Sequence, residues 1–129
     1  MAKATLEHLN FTATYPMSTA ERLCRVFDWK IRWFGDSLNG GTSVHVGTDD
    51  LYLAIYAPKE DVTDRPESYG TRGGLNHIGI LVEDLDVAES KVISEGYIPH
   101  SHQTYEPGSR FYFHNEDGIE FEVVSYESS

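Results

Sequence analysis

Residues 6–11 read Leu6-Glu7-His8-Leu9-Asn10-Phe11, and residues 75–80 read Leu75-Asn76-His77-Ile78-Gly79-Ile80. A short alternating segment thus returns with histidine on histidine, 69 positions later (8 to 77). Both segments alternate apolar side chains and are rich in strand formers, so each predicts a strand. The stretches immediately C-terminal to the two segments match as well. Ser18-Thr19-Ala20-Glu21 carries a capping-box pattern and predicts a helix over STAERLCRVFDW. Asp86-Val87-Ala88-Glu89 gives a similar start, predicting a helix over DVAESKVISEG with Gly96 as its stop. Three short strands are predicted after each helix, near 31–35, 42–47 and 51–57, and near 97–102, 109–114 and 119–126. The closing stretches DLYLAIYA and GIEFEVVS align at an offset of 68 (50 to 118).

The order is therefore βαβββ, linker, βαβββ. The predicted fold class is α+β, with two tandem modules forming a curved mixed sheet around a cavity. The modules span 1–57 and 74–129, and the linker 58–73 is rich in Pro, Gly and charge, as a surface connection should be. Neither half has enough core to stand alone, so the two form one domain over 1–129.

Bulk properties narrow the function classes. With 40% hydrophobic and 24% charged residues, the 129-residue chain has the balance of a globular protein. No apolar run approaches the roughly 20 residues that cross a bilayer. MAKATLEHL lacks the apolar stretch of a signal peptide, and the one cysteine, Cys24, has no internal disulfide partner. These features predict a cytoplasmic protein. A net charge of −11 argues against nucleic acid and anionic membrane as partners, since both repel such a surface.

Strand parity then decides which side chains meet. Leu9, Phe11 and Ala13 form an apolar face suited to a helix, leaving His8, Asn10 and Thr12 opposite. Ile78, Ile80 and Val82 leave His77 and Gly79 opposite; Ile119, Phe121 and Val123 leave Glu120, Glu122 and Val124. Phe111 and Phe113 face the helix, with Arg110, Tyr112 and His114 on the other side. Two histidines and one or two carboxylates facing a common cavity make a plausible metal site. Two neutral imidazoles and one carboxylate around a divalent cation leave a net charge of +1 and open coordination positions. That suits a substrate presenting two adjacent oxygens, one of which gains negative charge during reaction.

LEHLNFT, LNHIGILVEDLD and RFYFHNEDGIEFEVV together resemble the sequence hallmarks of the vicinal-oxygen-chelate superfamily of glyoxalases, bleomycin-resistance proteins and extradiol dioxygenases. The third stretch is the most specific, with an aromatic strand, the Asp117-Gly118 turn and a glutamate four residues past the glycine. The resemblance covers essentially the whole chain and implies metal ligands His8, His77 and Glu122, with one divalent Fe, Mn, Ni or Zn ion. The family's fourth ligand place falls on Ala54, which cannot bind a metal. This departs from the four-ligand glyoxalase I and epimerase pattern. The remaining triad is similar to that of extradiol dioxygenases and of manganese-dependent fosfomycin-resistance thiol transferases. Tyr112, ten residues before Glu122, matches an active-site tyrosine of both groups and is, with Glu120, a candidate for catalysis through proton movement. Asn10, Arg110, His102 and His114 are candidates for substrate binding. The fosfomycin enzymes hold phosphonate with a lysine and serines near places where this chain has His102, Glu106 and Arg110, which argues against fosfomycin as substrate. Extradiol enzymes use a further histidine in acid–base catalysis, for which His100, His102 and His114 are candidates.

The resemblance thus implies a metal-dependent isomerase, lyase, thiol transferase or extradiol-type dioxygenase acting on a small molecule, in a homodimer. The alternative is a metal-free binding protein of the bleomycin-resistance type.

Overall fold

The computed structural model describes residues 3–105 and 108–127. The chain divides into two compact units, the first ending at Thr63 and the second beginning at Asp64. Unit 1 contains β1 (His8–Thr12), α1 (Pro16–Phe27), β2 (Lys30–Asp36), β3 (Thr42–Gly47) and β4 (Tyr52–Ala57). Unit 2 contains β5 (Ile78–Leu81), α2 (Leu85–Ser94), β6 (His100–Tyr105), β7 (Gly108–His114) and β8 (Glu120–Ser125). The α+β class and the βαβββ order of each half are as the repeat predicts. Each unit has its own four-stranded mixed sheet, ordered β1-β4-β3-β2 and β5-β8-β7-β6, with the outer first strand parallel to the last. No helix among the described residues is long and apolar enough to cross a membrane.

Both helices begin earlier than their predicted caps. Helix α1 starts at Pro16, and its N-cap Tyr15 makes no side-chain cap bond. Proline replaces the cap here, because its fixed φ suits the first turn and its missing N–H would have no helical partner anyway. In α2 the cap is Asp84, two residues before Asp86, and its carboxylate accepts from the Val87 N–H at 3.1 Å. Gly96, at φ +89°, follows α2 in the left-handed region, as expected of a stop. Strand β6 begins at His100 and not near 97, since Pro99 before it has no N–H for the ladder and the Tyr97 N–H bonds back to Val92 O of α2.

Each helix covers one face of its own sheet. Phe11, Val44, Val46 and Ile55 are buried with Ala20, Leu23 and Val26 of α1 in unit 1. Phe111, Phe113, Phe121 and Val123 are fully buried in unit 2, where Phe113 and Phe121 stack at 5.1 Å. Losing one of these phenylalanines to alanine costs about 3–5 kcal/mol. The polar members of the same strands lie on the opposite, open face.

The registers of the two sheets correspond. His8 lies opposite Tyr52, and Ala54 opposite Asn10 and His45. In unit 2 Glu122 lies opposite Gly79 and Tyr112, and Glu120 opposite His114. Ala54 of unit 1 thus holds the register place of Glu122 in unit 2, and His45 that of Tyr112. The strand after each helix also carries an irregularity, between Ile31 and Trp33 in β2 and between His100 and Gln103 in β6.

Candidate metal centre

The second unit brings most of the candidate residues onto one open face. His77 directly precedes β5, and Glu122 sits on the neighbouring β8. His77 Nε2 is 3.1 Å from Glu122 Oε1, and both side chains are partly buried. Two ligand atoms at adjacent positions around an ion with bonds near 2.1 Å stand about 3 Å apart, so this pair fits one edge of a coordination shell. The other oxygen, Glu122 Oε2, accepts from Arg110 Nη1 at 2.7 Å. That bond fixes the carboxylate and turns its free oxygen toward His77.

Glu120 sits two residues away on the same face. Its Oε1 accepts from the Tyr69 hydroxyl at 2.5 Å and lies 3.9 Å from His77 Nδ1; its Oε2 lies 3.5 Å from His114 Nε2. The Tyr69 hydroxyl is also 3.1 Å from His77 Nδ1. Donation to Glu120, then burial and the charge of Glu120, pushes the Tyr69 hydroxyl up to about 12. Tyr112 presents its ring edge to His77 at 5.7 Å and stacks on His100 at 6.2 Å. Gly79, opposite Glu122 on β5, leaves open space: a Cβ built there meets nothing within 4 Å.

Two local devices hold these groups. The β7–β8 turn is tied by Asn115, whose Oδ1 accepts from the Asp117 and Ile119 N–H groups at 2.9 Å each, with Gly118 at φ +81°. This sets His114 and Glu120 as direct partners across the hairpin. In β6, the two residues between His100 and Gln103 oppose the single Phe111 between Tyr112 and Arg110, and Ser101 takes φ +57°. The extra residue is a β-bulge, which reverses the alternation beyond it. His100 therefore faces the open side, 3.1 Å from His114 Nδ1, while His102 turns to α2, bonding Glu89 at 2.8 Å and stacking on Phe111.

The two units divide the sequence-predicted residues between them. Unit 2 gathers His77, Glu122, Glu120, Tyr112, Arg110 and His114; it sends His102 to the helix side. Glu106 lies outside the described residues. In unit 1, His8 and Asn10 share the open face of β1 and are both exposed. His8 Nδ1 is 2.7 Å from Glu7 Oε1, and its ring stacks on Tyr52 at 4.9 Å. Tyr52 stacks in turn on His45, and His45 meets Trp33 at 5.0 Å, with the Arg32 guanidinium 4.3 Å over the Tyr52 ring. Burial, then the nearby His8 and Arg32 charges, holds the His45 imidazole below its ordinary value.

Sequence reasoning missed two of these residues, Tyr69 and His45. His45 was findable by parity, since it alternates with the apolar Val44 and Val46. Tyr69 had no such signal. It reaches the site because Arg65 donates to the Leu75 and Gly118 carbonyls at 3.1 and 3.2 Å, and the Glu67 carboxylate accepts from the Tyr69 and Gly70 N–H groups.

No protein-family model and no curated protein matches the sequence. Solved structures do match across nearly the whole chain. A glyoxylase/bleomycin resistance protein/dioxygenase domain from Frankia sp. EAN1pec superposes with a TM-score of 0.81 at 22% identity, covering 96% of this chain and 98% of that one. The chain has the vicinal-oxygen-chelate fold. The same fold is found in the fosfomycin resistance protein FosX from Mesorhizobium loti, with a TM-score of 0.69 at 21% identity, covering 95% and 91% of the two chains. FosX from Listeria monocytogenes, in a complex with Mn(II) and sulfate, gives 0.71 at 15% identity, covering 96% and 93%.

Proposed function

We propose that this protein is a divalent-metal-dependent enzyme acting on a small molecule that offers one or two oxygens to the ion. The observation that carries this reading is the 3.1 Å approach of His77 Nε2 to Glu122 Oε1 on the open sheet face. His8 holds the matching place on the first strand of unit 1 and is the candidate third ligand, joining the His77–Glu122 pair of a second copy in a homodimer. The donor set, two imidazoles and one carboxylate, suits Fe, Mn, Ni or Zn. Support also comes from the Mn(II) complex of FosX, a protein of the same fold.

A divalent ion held there supplies Lewis-acid polarisation of a substrate oxygen. The chain's own residues do the rest. Glu120 accepts and returns a proton beside that oxygen, with Tyr69 holding its Oε1. Tyr112 flanks His77 and orients the substrate's oxygen through its hydroxyl. Gly79 keeps the space beside Glu122 open, and Asn10 and His114 offer polar contacts on the open faces. These roles serve isomerisation, lysis, thiol transfer and extradiol cleavage alike.

The metal-free binding reading has one specific observation in its favour. Arg110 already neutralises Glu122 through an ion pair whose two side chains are only 13% and 12% exposed. Elemental analysis separates the two. Protein purified without chelators or a histidine tag should carry tightly held divalent metal, and His77→Ala should lose one equivalent of it. No difference between the two proteins, even after reconstitution with each ion, would sink the enzyme reading and favour the binding protein.

A further inference from the structure

We propose that His100, His114 and Glu120 form a second cation site, separate from the His77–Glu122 pair, that takes an imidazole-preferring divalent ion of the zinc class. This goes beyond the function proposed above and does not depend on it; an ion bound here occupies Glu120 Oε2 and so suppresses the proton transfer assigned to Glu120 there. Among the described residues, these three are the group whose ligand atoms, one from each, all lie within 4.8 Å of one another.

The geometry is built by the backbone. His114 and Glu120 are register partners on β7 and β8, and Asn115 fixes the turn between them. His100 joins from β6 because the bulge at Ser101 turns it to the open face. His100 Nδ1 lies 2.9 Å from Ser101 Oγ, which aims Nε2 at His114 Nδ1, 3.1 Å away. Glu120 Oε2 lies 3.5 Å from His114 Nε2, the ring nitrogen across from the one that meets His100, while Oε1 is taken by Tyr69. One carboxylate oxygen and one nitrogen from each ring thus lie within 4.8 Å of one another, and a turn of the exposed His114 ring brings a single nitrogen to the space between His100 and Glu120.

Tetrahedral coordination with bonds near 2.0–2.1 Å sets ligand atoms about 3.3 Å apart. The His100–His114 separation already meets this, and closure on Glu120 asks for a shift of about an ångström. His114 can supply that, since its side chain is 51% exposed. Two neutral imidazoles and one carboxylate favour zinc-class ions over magnesium or calcium, which prefer all-oxygen shells. They leave the bound ion with a net charge of +1, and the overall charge of −11 draws cations to the surface.

The test is zinc stoichiometry of the chelator-stripped full chain by equilibrium dialysis, with His77→Ala, His114→Ala and the double variant His100→Ala/His114→Gln. Both substituted histidines lie outside the apolar core, and circular dichroism confirms folding of each variant. The wild type should bind two equivalents, and His114→Ala and the double variant should each lose one. His77→Ala should lose the other, so failure at one site is read separately from failure at the other. Replacement by cobalt(II) gives a second readout: four-coordinate visible absorption present in His77→Ala and absent from the double variant. Wild-type stoichiometry and cobalt absorption in the double variant would overturn the second site. Loss in the histidine pair variants with none in His77→Ala would uphold it and sink the metal reading of the proposed function.

Discussion

Arg110 Nη1 donates to one oxygen of Glu122 at 2.7 Å while the other oxygen stands 3.1 Å from His77 Nε2. One guanidinium therefore orients the candidate ligand and also opposes the charge of any ion that binds it. Arg110→Gln keeps a donor and removes the positive charge. At an effective dielectric near 20, unit charges about 4 Å apart interact by about 4 kcal/mol, and partial solvent access reduces this. Metal affinity should therefore rise by about tenfold or more, by isothermal titration. The metal-free variant should lose about 2–3 kcal/mol of stability, because the partly buried Glu122 loses its cationic partner. Weaker metal binding in this variant would mean that orientation outweighs charge.

Gly79 offers a test of access. Its Cβ position is open, so Gly79→Leu should change stability by no more than about 0.5 kcal/mol. The same side chain would occupy the space beside Glu122. With manganese(II) bound, water-proton relaxation should fall relative to the wild type, since fewer waters reach the ion. Unchanged relaxation would place the open coordination positions elsewhere.

The Tyr69 hydroxyl, pushed up to about 12 chiefly by donation to Glu120, gives a pH signature. The folded state favours the protonated phenol above its ordinary value of 10.0. Its contribution is therefore complete below pH 10 and is lost as pH rises from there through about 12. The melting-temperature gap between wild type and Tyr69→Phe should close over that window. An ultraviolet tyrosinate titration should show one late-ionising group missing from the variant; identical curves would remove the Tyr69–Glu120 bond from the solution structure.

Asn115 is buried and satisfies two backbone donors in the β7–β8 turn. Asn115→Ala leaves both unpaired and should cost about 1–3 kcal/mol in urea unfolding. Asn115→Asp, which keeps the acceptor, should lose less. Equal losses would show that the carbonyl oxygen is not what the turn requires.

Much of this arrangement was readable from residue order. The histidine-on-histidine repeat, the parity of Phe111, Phe113 and Phe121 against Tyr112, Glu120 and Glu122, and the Asp117-Gly118 turn all follow from local periodicity. The starts of the helices were less legible: Ser18 and Asp86 satisfy the capping pattern, yet Pro16 and Asp84 begin the helices because the preceding chain is already extended there. His100 and His102, two apart, read as neighbours on one face until a left-handed residue between them shifts the phase. Tyr69 was not legible at all, because it is placed by Arg65 and Glu67 bonding to distant backbone, and no period records that.

The segment that carries Tyr69 has a consequence for how the protein can be divided. The sequence motif of the second half restarts at Leu75, whereas the second compact unit already begins at Asp64. A half-gene cut at the motif would express every β5–β8 residue and still amputate the phenol that holds Glu120. Fragment complementation or module shuffling should therefore place its joint before Asp64, so that the stretch resembling a spacer travels with the half it equips.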